Sequence, residues 1–296
     1  MKIAITGANS SVGRNLLSQI SEDSGIQALA GVRSKSAFTS IPESDRIETR
    51  AINYEDIPDL VAAFQNCDMV VHLAGILIET KHSNYESANV AATAAVVSAA
   101  QQARVRHLIF VSVVGADTTS ANRYFQTKGA AEKLIADSGI SATILRTPLL
   151  LGPGTAGADS VLWAASQTKA KLLGGGNYTM HPLDVNDLGK AILNCCRNPN
   201  DGVHTFELVG PDAVLYRDLI SKLAALKGND ITIGSVPIWI AKLGAAITSR
   251  LKGGGITPAV IDVITIDEKI VHNGADELGV NLTPLQQTLE NILEQS

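Results

Sequence analysis

A tyrosine and a lysine stand four residues apart, at Tyr124 and Lys128, in a stretch with a helical pattern. Residues at this spacing share a helix face, so the lysine ammonium can favour the tyrosine phenolate and lower the pKa of the hydroxyl. Such a tyrosine can donate or accept a proton near neutral pH. Ser112 closes the apolar run 108–112, where a doubly wound sheet would bind its ligand. These three residues are the candidate catalytic group.

A glycine-containing turn follows the first apolar run of the chain and precedes a helical pattern that begins near Arg14. A strand, a tight turn and a helix in this order direct backbone N–H groups and the positive end of the helix dipole at an anion, usually a diphosphate. The sequence therefore predicts a dinucleotide-binding turn. Its candidate cofactor-binding residues are Gly7, Asn9, Ser10, Ser11, Val12 and Gly13.

The elements that must position these residues alternate between strand and helix patterns. Strands covered by helices on both faces are apolar throughout, and alternating βα units predict a parallel sheet with right-handed crossovers. The sequence therefore predicts an α/β fold, a Rossmann-type doubly wound parallel sheet with a small C-terminal substrate lobe. We expect residues 1–150 to form the dinucleotide-binding domain and 151–296 the lobe, with 180–210 returning to the first domain. The apolar runs are at 3–5, 28–32, 47–52, 69–74, 108–112 and 142–145.

The composition limits the class and the partners. The chain of 296 residues is 45% hydrophobic with a net charge of −5, which favours a sizeable core and argues against a nucleic-acid partner. It begins with a strand pattern and has no apolar run of membrane-spanning length. We therefore expect no signal peptide, no integral membrane segment and a cytoplasmic location. Cys67, Cys195 and Cys196 are expected to be small buried hydrophobes, without a disulfide or a metal.

The end of the second strand indicates the form of the dinucleotide. A fold that prefers NAD usually has Asp or Glu there to bind the ribose 2′-hydroxyl, whereas this strand runs into Arg33 and Ser34. A guanidinium attracts a 2′-phosphate, and no adjacent carboxylate repels it. Asn9 and Arg14 are further candidates near that phosphate. The sequence therefore predicts NADP(H) in preference to NAD(H).

Together these motifs resemble the short-chain dehydrogenase/reductase superfamily in its extended and atypical branches. The turn TGANSSVG is similar to the TGxxGxxG turn of that superfamily, with Ser10 in place of the middle glycine. A serine hydroxyl at this place offers a hydrogen bond to a phosphate oxygen. The resemblance implies that Tyr124 is the proton donor, that Ser112 orients the substrate oxygen, and that Lys128 also binds the nicotinamide ribose.

Further segments extend the resemblance. Leu73, Ala74 and Gly75 close the fourth strand and resemble the family segment that passes along the adenosine side of the cofactor. Pro148 lies in a segment similar to the one whose backbone faces the nicotinamide. Asn89 matches a family asparagine that steadies the active site. The implied cofactor contacts are therefore these segments, the glycine turn, Tyr124 and Lys128.

The short interval between Ser112 and Tyr124 and the sequence SVVGA are similar to an atypical branch. This branch is shared by NmrA-like proteins and the nucleotide-binding accessory subunit of respiratory complex I, and parts of it bind NADPH without turnover. Three functions stay open: an oxidoreductase passing hydride between NADP(H) and a carbonyl or alcohol, a nucleotide-sugar epimerase or dehydratase, and a non-catalytic NADPH-binding assembly factor or redox sensor. The first is favoured, with a small-molecule substrate. A homodimer or a protein partner stays open.

One apolar stretch lies outside these motifs. Residues 237–251 predict an apolar helix that contains Trp239 and ends at Arg250 and Lys252. Such a helix lies on a membrane surface, on a partner or on the protein's own lobe. The last alternative is favoured because most amphipathic helices turn their apolar face to their own core.

Overall fold

A computed structural model describes residues 1–22, 25–252 and 254–294. Seven of the strands in those residues form one parallel sheet, and the others form two-stranded sheets in the second half of the chain. The strands are β1 (Lys2–Thr6), β2 (Gln27–Val32), β3 (Ile47–Ala51), β4 (Met69–His72), β5 (His107–Val113), β6 (Ser141–Thr147), β7 (Leu150–Leu151), β8 (Lys169–Leu173), β9 (Thr179–Met180), β10 (Leu183–Asp184), β11 (Val203–Glu207), β12 (Val214–Leu215) and β13 (Thr232–Val236).

Helices connect these strands and cover both faces of the large sheet. A π-helical turn at Glu86–Ala91 leads directly into the third helix, and a short 3-10 helix at Lys35–Ser40 follows β2. The α-helices are α1 (Ser11–Glu22), α2 (Ile57–Phe64), α3 (Ala92–Gln102), α4 (Arg123–Ala136), α5 (Ala156–Ala165), α6 (Val185–Arg197), α7 (Tyr216–Leu226), α8 (Ile238–Lys252), α9 (Pro258–Ile264) and α10 (Leu285–Glu294).

The large sheet has the strand order β11-β6-β5-β4-β1-β2-β3. The chain winds outward from β1 to β3, then returns to the other side of β1 with β4 and continues to β6. The order therefore reverses between β1 and β4, and such a switch point opens a crevice at the carboxyl ends of the strands. This arrangement confirms the predicted Rossmann-type doubly wound sheet. It also brings the glycine turn after β1 next to the segment that follows β4.

Two apolar layers hold the sheet between its helices. Alternate strand residues such as Ile3 and Ile5 pack with α1 and α6 on one face, whereas Ala4 and Leu108 pack with α2, α3 and α4 on the other. Because a strand places successive side chains on opposite faces, a strand covered on both sides must be apolar throughout. The continuous apolar runs in the sequence follow from this burial. The three cysteines are free thiols, and all are buried.

The second half of the chain contributes to both the large sheet and a smaller lobe. β11 pairs with β6 at the edge of the large sheet, and α6 packs against α1. The lobe has its own core, made by α5, α7 and α10 with the strand pairs β8–β13, β9–β12 and β7–β10. The boundary between the two domains near residue 150 stays a prediction. Within the described ranges, no helix is long and apolar enough to cross a membrane.

Candidate functional site

The turn between β1 and α1 comes within contact distance of the segment that follows β4. Gly7 has φ +73°, and a Cβ placed on it would lie 2.9 Å from the backbone nitrogen of Ala74. The N–H of Leu73 donates to the carbonyl of Thr6 at 3.0 Å, which extends the contact. These two segments therefore form a narrow backbone cradle at the switch point of the sheet. A side chain at Gly7 would fill it.

Ser10 is placed at the start of α1, where its side chain caps the helix. Its Oγ accepts a hydrogen bond from the N–H of Gly13 at 3.0 Å. Serine is among the best N-cap residues, so its residue type is a signal for this capping role, and the phosphate contact of the hydroxyl stays a prediction. Accepting this bond uses a lone pair of the oxygen, so the O–H group can donate to a second partner. Gly13 has a packing role as well, because a Cβ there would overlap the carbonyl of Ala8.

The first turn of α1 supplies donors suited to an anion. Ser11 and Val12 begin the helix, so their N–H groups have no acceptor within it. The guanidinium of Arg14 donates to the carbonyl of Asn9 at 3.1 Å and lies 3.5 Å from the position of a Cβ built on Gly154. Backbone donors, the helix dipole and a cation therefore surround the glycine cradle. This donor set fits the diphosphate of a dinucleotide.

The residues after β2 lie on the other side of this turn. Arg33 and Ser34 are exposed, and Ser34 Oγ accepts from the N–H of Ser36 at 3.1 Å. Burial raises the pKa of the Tyr54 hydroxyl to about 12, against the lowering effects of a hydrogen bond to Thr6 and the charge of Arg33. This side of the site thus offers a cation, hydroxyl groups and an aromatic ring. The segment RSKS after β2 contains no acidic residue.

Asn89 fixes the loop that follows β4. Its Oδ1 accepts from the N–H of Ile76 at 2.9 Å, and its Nδ2 donates to the Ile76 carbonyl at 3.3 Å and to Thr127 Oγ1 at 3.2 Å. The side chain is buried, so these bonds are shielded from water. Asn89 therefore ties the Gly75 loop to the second turn of α4. The active-site role that the resemblance implies for Asn89 stays a prediction.

Lys128 is buried beneath the carboxyl end of β5. Its Nζ donates to the carbonyl of Val111 at 2.9 Å and lies 4.1 Å from the centroid of the Phe110 ring. Burial lowers the pKa of the Lys128 ammonium to about 7, although the nearby Glu132 carboxylate raises it. Because a buried charge is costly, a lysine here is poised to exchange its proton near neutral pH.

Tyr124 lies in the first turn of α4, one turn before Lys128, and the side chain of Asn122 caps the helix. The Tyr124 ring is half-buried, with its centroid 5.8 Å from that of Tyr85. Burial, followed by the neighbouring Tyr85, raises the pKa of the Tyr124 hydroxyl. In the part of the chain that the structure describes, no hydrogen bond joins this hydroxyl to Lys128. The two residues therefore share a helix face, as their spacing predicts, without direct contact between their polar atoms.

The hydrogen-bond partner of Ser112 differs from the one that the sequence predicts. Its Oγ donates to Glu132 Oε1 at 2.5 Å, and Arg146 binds the same carboxylate through Nε at 3.0 Å and a terminal nitrogen at 2.6 Å. Glu132 lies eight residues beyond Tyr124, which is about 12 Å along a helix axis. The serine hydroxyl is therefore bound within a buried ion pair instead of being directed at Tyr124. The one sequence signal for this contact is the four-residue spacing of Lys128 and Glu132, which places Glu132 on the helix face of the candidate catalytic residues.

Pro148 is buried directly after β6, at the same edge of the sheet. The residue before it, Thr147, accepts from the N–H of Val114 at 3.0 Å through its carbonyl and donates from its hydroxyl to the carbonyl of Ser112 at 3.2 Å. These bonds tie the end of β6 to the end of β5. The strand ends, the glycine turn and the first turns of α4 thus lie along one edge of the sheet.

Comparisons with known proteins agree with this geometry. A family model described as NAD(P)H-binding matches residues 7–171. The mitochondrial NADH dehydrogenase (ubiquinone) 1 alpha subcomplex subunit 9 of Arabidopsis thaliana is 27% identical over 254 residues, 82% of this chain and 62% of that protein. The chain thus spans less than two thirds of the length of that relative. In Stigmatella aurantiaca, the 4-hydroxy-2-methyl-3-oxo-4-farnesyl-3,4-dihydroquinoline-1-oxide ketoreductase is 24% identical over 273 residues, covering 85% of this chain and 80% of its own.

Similarity to solved structures extends over the whole chain. MoeE5 in complex with UDP-glucuronic acid and NAD superposes with a TM-score of 0.79 and 20% identity, covering 100% of this chain and 98% of that one. At this identity the likeness shows the fold alone. The matching family model covers the glycine turn, the end of β4 and the whole of α4, which are the segments that the sheet brings together. The chain therefore belongs to the NAD(P)H-binding family, within the extended short-chain dehydrogenase/reductase-like superfamily.

Proposed function

We propose that this protein is an NADP(H)-dependent oxidoreductase that interconverts a ketone and an alcohol, with Tyr124 as the proton donor. The observation that carries the proposal is the placement of Tyr124 and Lys128 on one face of α4, beside the Gly75 loop at the switch point of the sheet. A Cβ on Gly75 would lie 3.9 Å from the Lys128 nitrogen. The lysine is thus within reach of a cofactor that lies along this loop.

The chain's own residues supply binding and proton transfer. A bound dinucleotide supplies or accepts the hydride through its nicotinamide ring. The N–H groups of Ser11 and Val12 hold the diphosphate, and Asn89 keeps the loop after β4 in place. An anionic cofactor favours the protonated form of Lys128, and that positive charge lowers the pKa of the Tyr124 hydroxyl. Tyr124 then gives its proton to the substrate oxygen during reduction.

Ser112 has a positioning role in this proposal. Its hydroxyl binds Glu132, whose carboxylate is held by Arg146, so the three side chains join β5, β6 and α4. This junction sets the depth of α4 against the sheet and therefore the position of Tyr124. Orienting the substrate oxygen directly would require Ser112 to leave Glu132, which would leave a buried carboxylate with one partner fewer.

The preference for NADP(H) is supported by the surface after β2. Arg33 is exposed and is followed by the hydroxyl group of Ser34, with no carboxylate in the segment. A guanidinium and adjacent hydroxyl groups suit the oxygens of a 2′-phosphate. A ketone as the substrate class is supported by the name of the Stigmatella aurantiaca relative, which is a ketoreductase.

The test is reduction of a ketone panel by the purified protein, followed as loss of NADPH absorbance. We expect turnover of at least one ketone, and Tyr124→Phe should lower kcat by at least about a hundredfold while keeping NADPH affinity within twofold. Tyr85→Phe is the matched control. It also removes a tyrosine hydroxyl, but the hydroxyl of Tyr85 donates to the carbonyl of Leu77 at 2.8 Å and has no assigned role in proton transfer. Full turnover by Tyr124→Phe would contradict the assigned role.

A second candidate is an NADPH-holding subunit of a larger assembly, without turnover. The engagement of Ser112 by Glu132 favours it, because the oxyanion-orienting group that the superfamily resemblance implies is then missing. The similarity to a respiratory-complex subunit favours it as well. The distinguishing result is NADPH binding without ketone reduction, together with a Tyr124→Phe variant that retains the binding. The nucleotide-sugar epimerase alternative is supported only by a shared fold.

A further inference from the structure

Helix α8 turns its large apolar side chains toward solvent. Five of them are between 45% and 81% exposed. Successive residues of a helix are 100° apart, so positions 239, 240, 243, 247 and 251 fall within about 120° of the helix circumference and form one continuous stripe. We name this stripe the α8 face; it consists of Trp239, Ile240, Leu243, Ile247 and Leu251.

The side of α8 that faces the protein is made of smaller residues. Ala245 is 7% exposed, and Ala241 and Ser249 on the same side are half-buried. Lys242 forms an ion pair with Asp262 of α9, next to α8. The helix therefore packs through small and polar side chains and presents its larger ones outward. This is the reverse of the expectation that the apolar face would lie on the protein's own lobe.

The charge of α8 differs from that of the whole chain. The charged residues in its sequence are Lys242, Arg250 and Lys252, all basic, while the chain has a net charge of −5. Arg250 is exposed and lies on the α8 face itself, near its C-terminal end, whereas Lys242 is paired with Asp262. An apolar stripe that carries an exposed basic side chain, on a helix without acidic residues, complements a surface with an apolar interior and a negatively charged outer layer.

We propose that the α8 face docks this protein on an anionic lipid bilayer, with α8 lying in the plane of the interface. A tryptophan and branched aliphatic side chains enter the boundary between headgroups and acyl chains, while Arg250 stays with the lipid phosphates. A second copy of the chain fits less well. In a two-fold contact both copies use the same patch, and α8 offers no acidic residue to pair with Arg250 of the other copy.

The position of α8 places the candidate site near that surface. The loop after α8 contacts the loop after β4, where the N–H of Gly255 donates to the carbonyl of Glu79 at 2.9 Å. The next helix reaches the start of α4, where Asn122 Nδ2 donates to the carbonyl of Ala259 at 2.9 Å. Docking through α8 would therefore hold the Tyr124 end of α4 toward the bilayer side of the molecule.

The test uses the full chain with vesicles of phosphatidylcholine, alone or mixed with phosphatidylglycerol. Trp163→Phe leaves Trp239 as the single tryptophan. We expect co-sedimentation with the mixed vesicles and a blue shift of Trp239 emission. A Leu243→Asp, Ile247→Asp double variant should lower the partition coefficient by at least about tenfold, because it places two charges in the buried interface. Both positions are exposed, so the variant is expected to fold.

Val203→Asp is the matched control, because Val203 is 40% exposed on β11 at the amino end of the sheet, away from the site. It should bind vesicles like the parent protein. Absence of binding to mixed vesicles would overturn the proposal, and so would equal binding to neutral vesicles. A dimer in sedimentation velocity that dissociates in the double variant, without vesicle binding, would assign the α8 face to a second copy instead.

Discussion

The hydroxyl of Ser112 donates to the carboxylate of Glu132 across 2.5 Å, between the end of β5 and the third turn of α4. The ion pair between Glu132 and Arg146 of β6 completes the contact, and Ser112 and Glu132 are both buried. A charge-assisted bond in such surroundings is stronger than one in water. The serine that sequence reasoning placed in the catalytic group is thus part of a three-element junction beneath it.

Replacing Ser112 tests whether its role is structural. Ser112→Ala removes one hydrogen bond from a buried carboxylate and should lower the free energy of unfolding by about 1–3 kcal/mol. Because the hydroxyl faces Glu132, turnover should fall far less than in Tyr124→Phe. The measurements are urea unfolding and NADPH-dependent turnover of the same two variants. A Ser112→Ala protein with unchanged stability and turnover as low as that of Tyr124→Phe would return Ser112 to the substrate.

The junction also shows what the sequence could not predict. Ser112 pairs with Arg146 in the register of β5 and β6, so the two side chains are neighbours only because of that alignment. An apolar pattern specifies strand register where only one face is buried, but these strands are apolar on both faces, so their patterns leave the register open. The placement of Tyr124 and Lys128 on one helix face, by contrast, depends on spacing within one helix. The sequence therefore predicts that the two residues share a helix face.

The same distinction applies to the fold. Continuous apolar runs and the glycine turn predicted the doubly wound sheet, because both follow from local burial and backbone geometry. The orientation of α8 did not follow from its sequence. Apolar residues such as Trp239 and Leu243 predict a face packed inward, and only the tertiary structure shows that Ala245 faces the protein instead.

Gly7→Ala tests the backbone cradle. The substitution introduces a Cβ at positive φ and within 2.9 Å of the Ala74 nitrogen, so the turn must shift. We expect NADPH affinity to fall by at least about tenfold, because the diphosphate donors move with the turn. Gly139→Ala is the control, since Gly139 has φ +76° with nothing near its Cβ position. Gly139→Ala should cost about 1–2 kcal/mol of stability, because an L-residue is strained at this φ, and should leave affinity unchanged. Equal NADPH affinity in both variants would contradict the proposed role of the cradle in diphosphate binding.

Arg33→Ala tests the proposed choice of cofactor. Loss of an exposed guanidinium beside the 2′-phosphate should weaken NADPH binding by roughly 10–100-fold, because a charge-assisted bond is lost. NADH lacks that phosphate, so its dissociation constant should change by less than about twofold. Calorimetric titration of both dinucleotides provides the comparison within one variant. An equal loss for NADH and NADPH would indicate that Arg33 acts on the shared part of the cofactor.

Lys128→Met tests the cost of burying an ammonium group. The folded pKa is about 7, below the ordinary value of 10.5, so at pH 7 to 10 the unfolded chain binds more protons than the folded one. Stability contributed at this site therefore rises with pH through that window, since the folded lysine loses its proton first. Below pH 7 both states are protonated and the burial cost is complete. Relative to Lys128→Met, the parent protein should gain on the order of 2 kcal/mol or more between pH 7 and 10.

Urea unfolding of the two proteins at each pH gives this difference and cancels titrations that they share. Lys133→Met is the control, because Lys133 lies on the same helix with its side chain 67% exposed. Its difference from the parent should stay flat over the same range. A flat difference for Lys128→Met as well would mean that the Lys128 ammonium stays charged in the folded protein. In that case the hydrogen bond to Val111 compensates its burial, and the lysine can support Tyr124 before any cofactor binds.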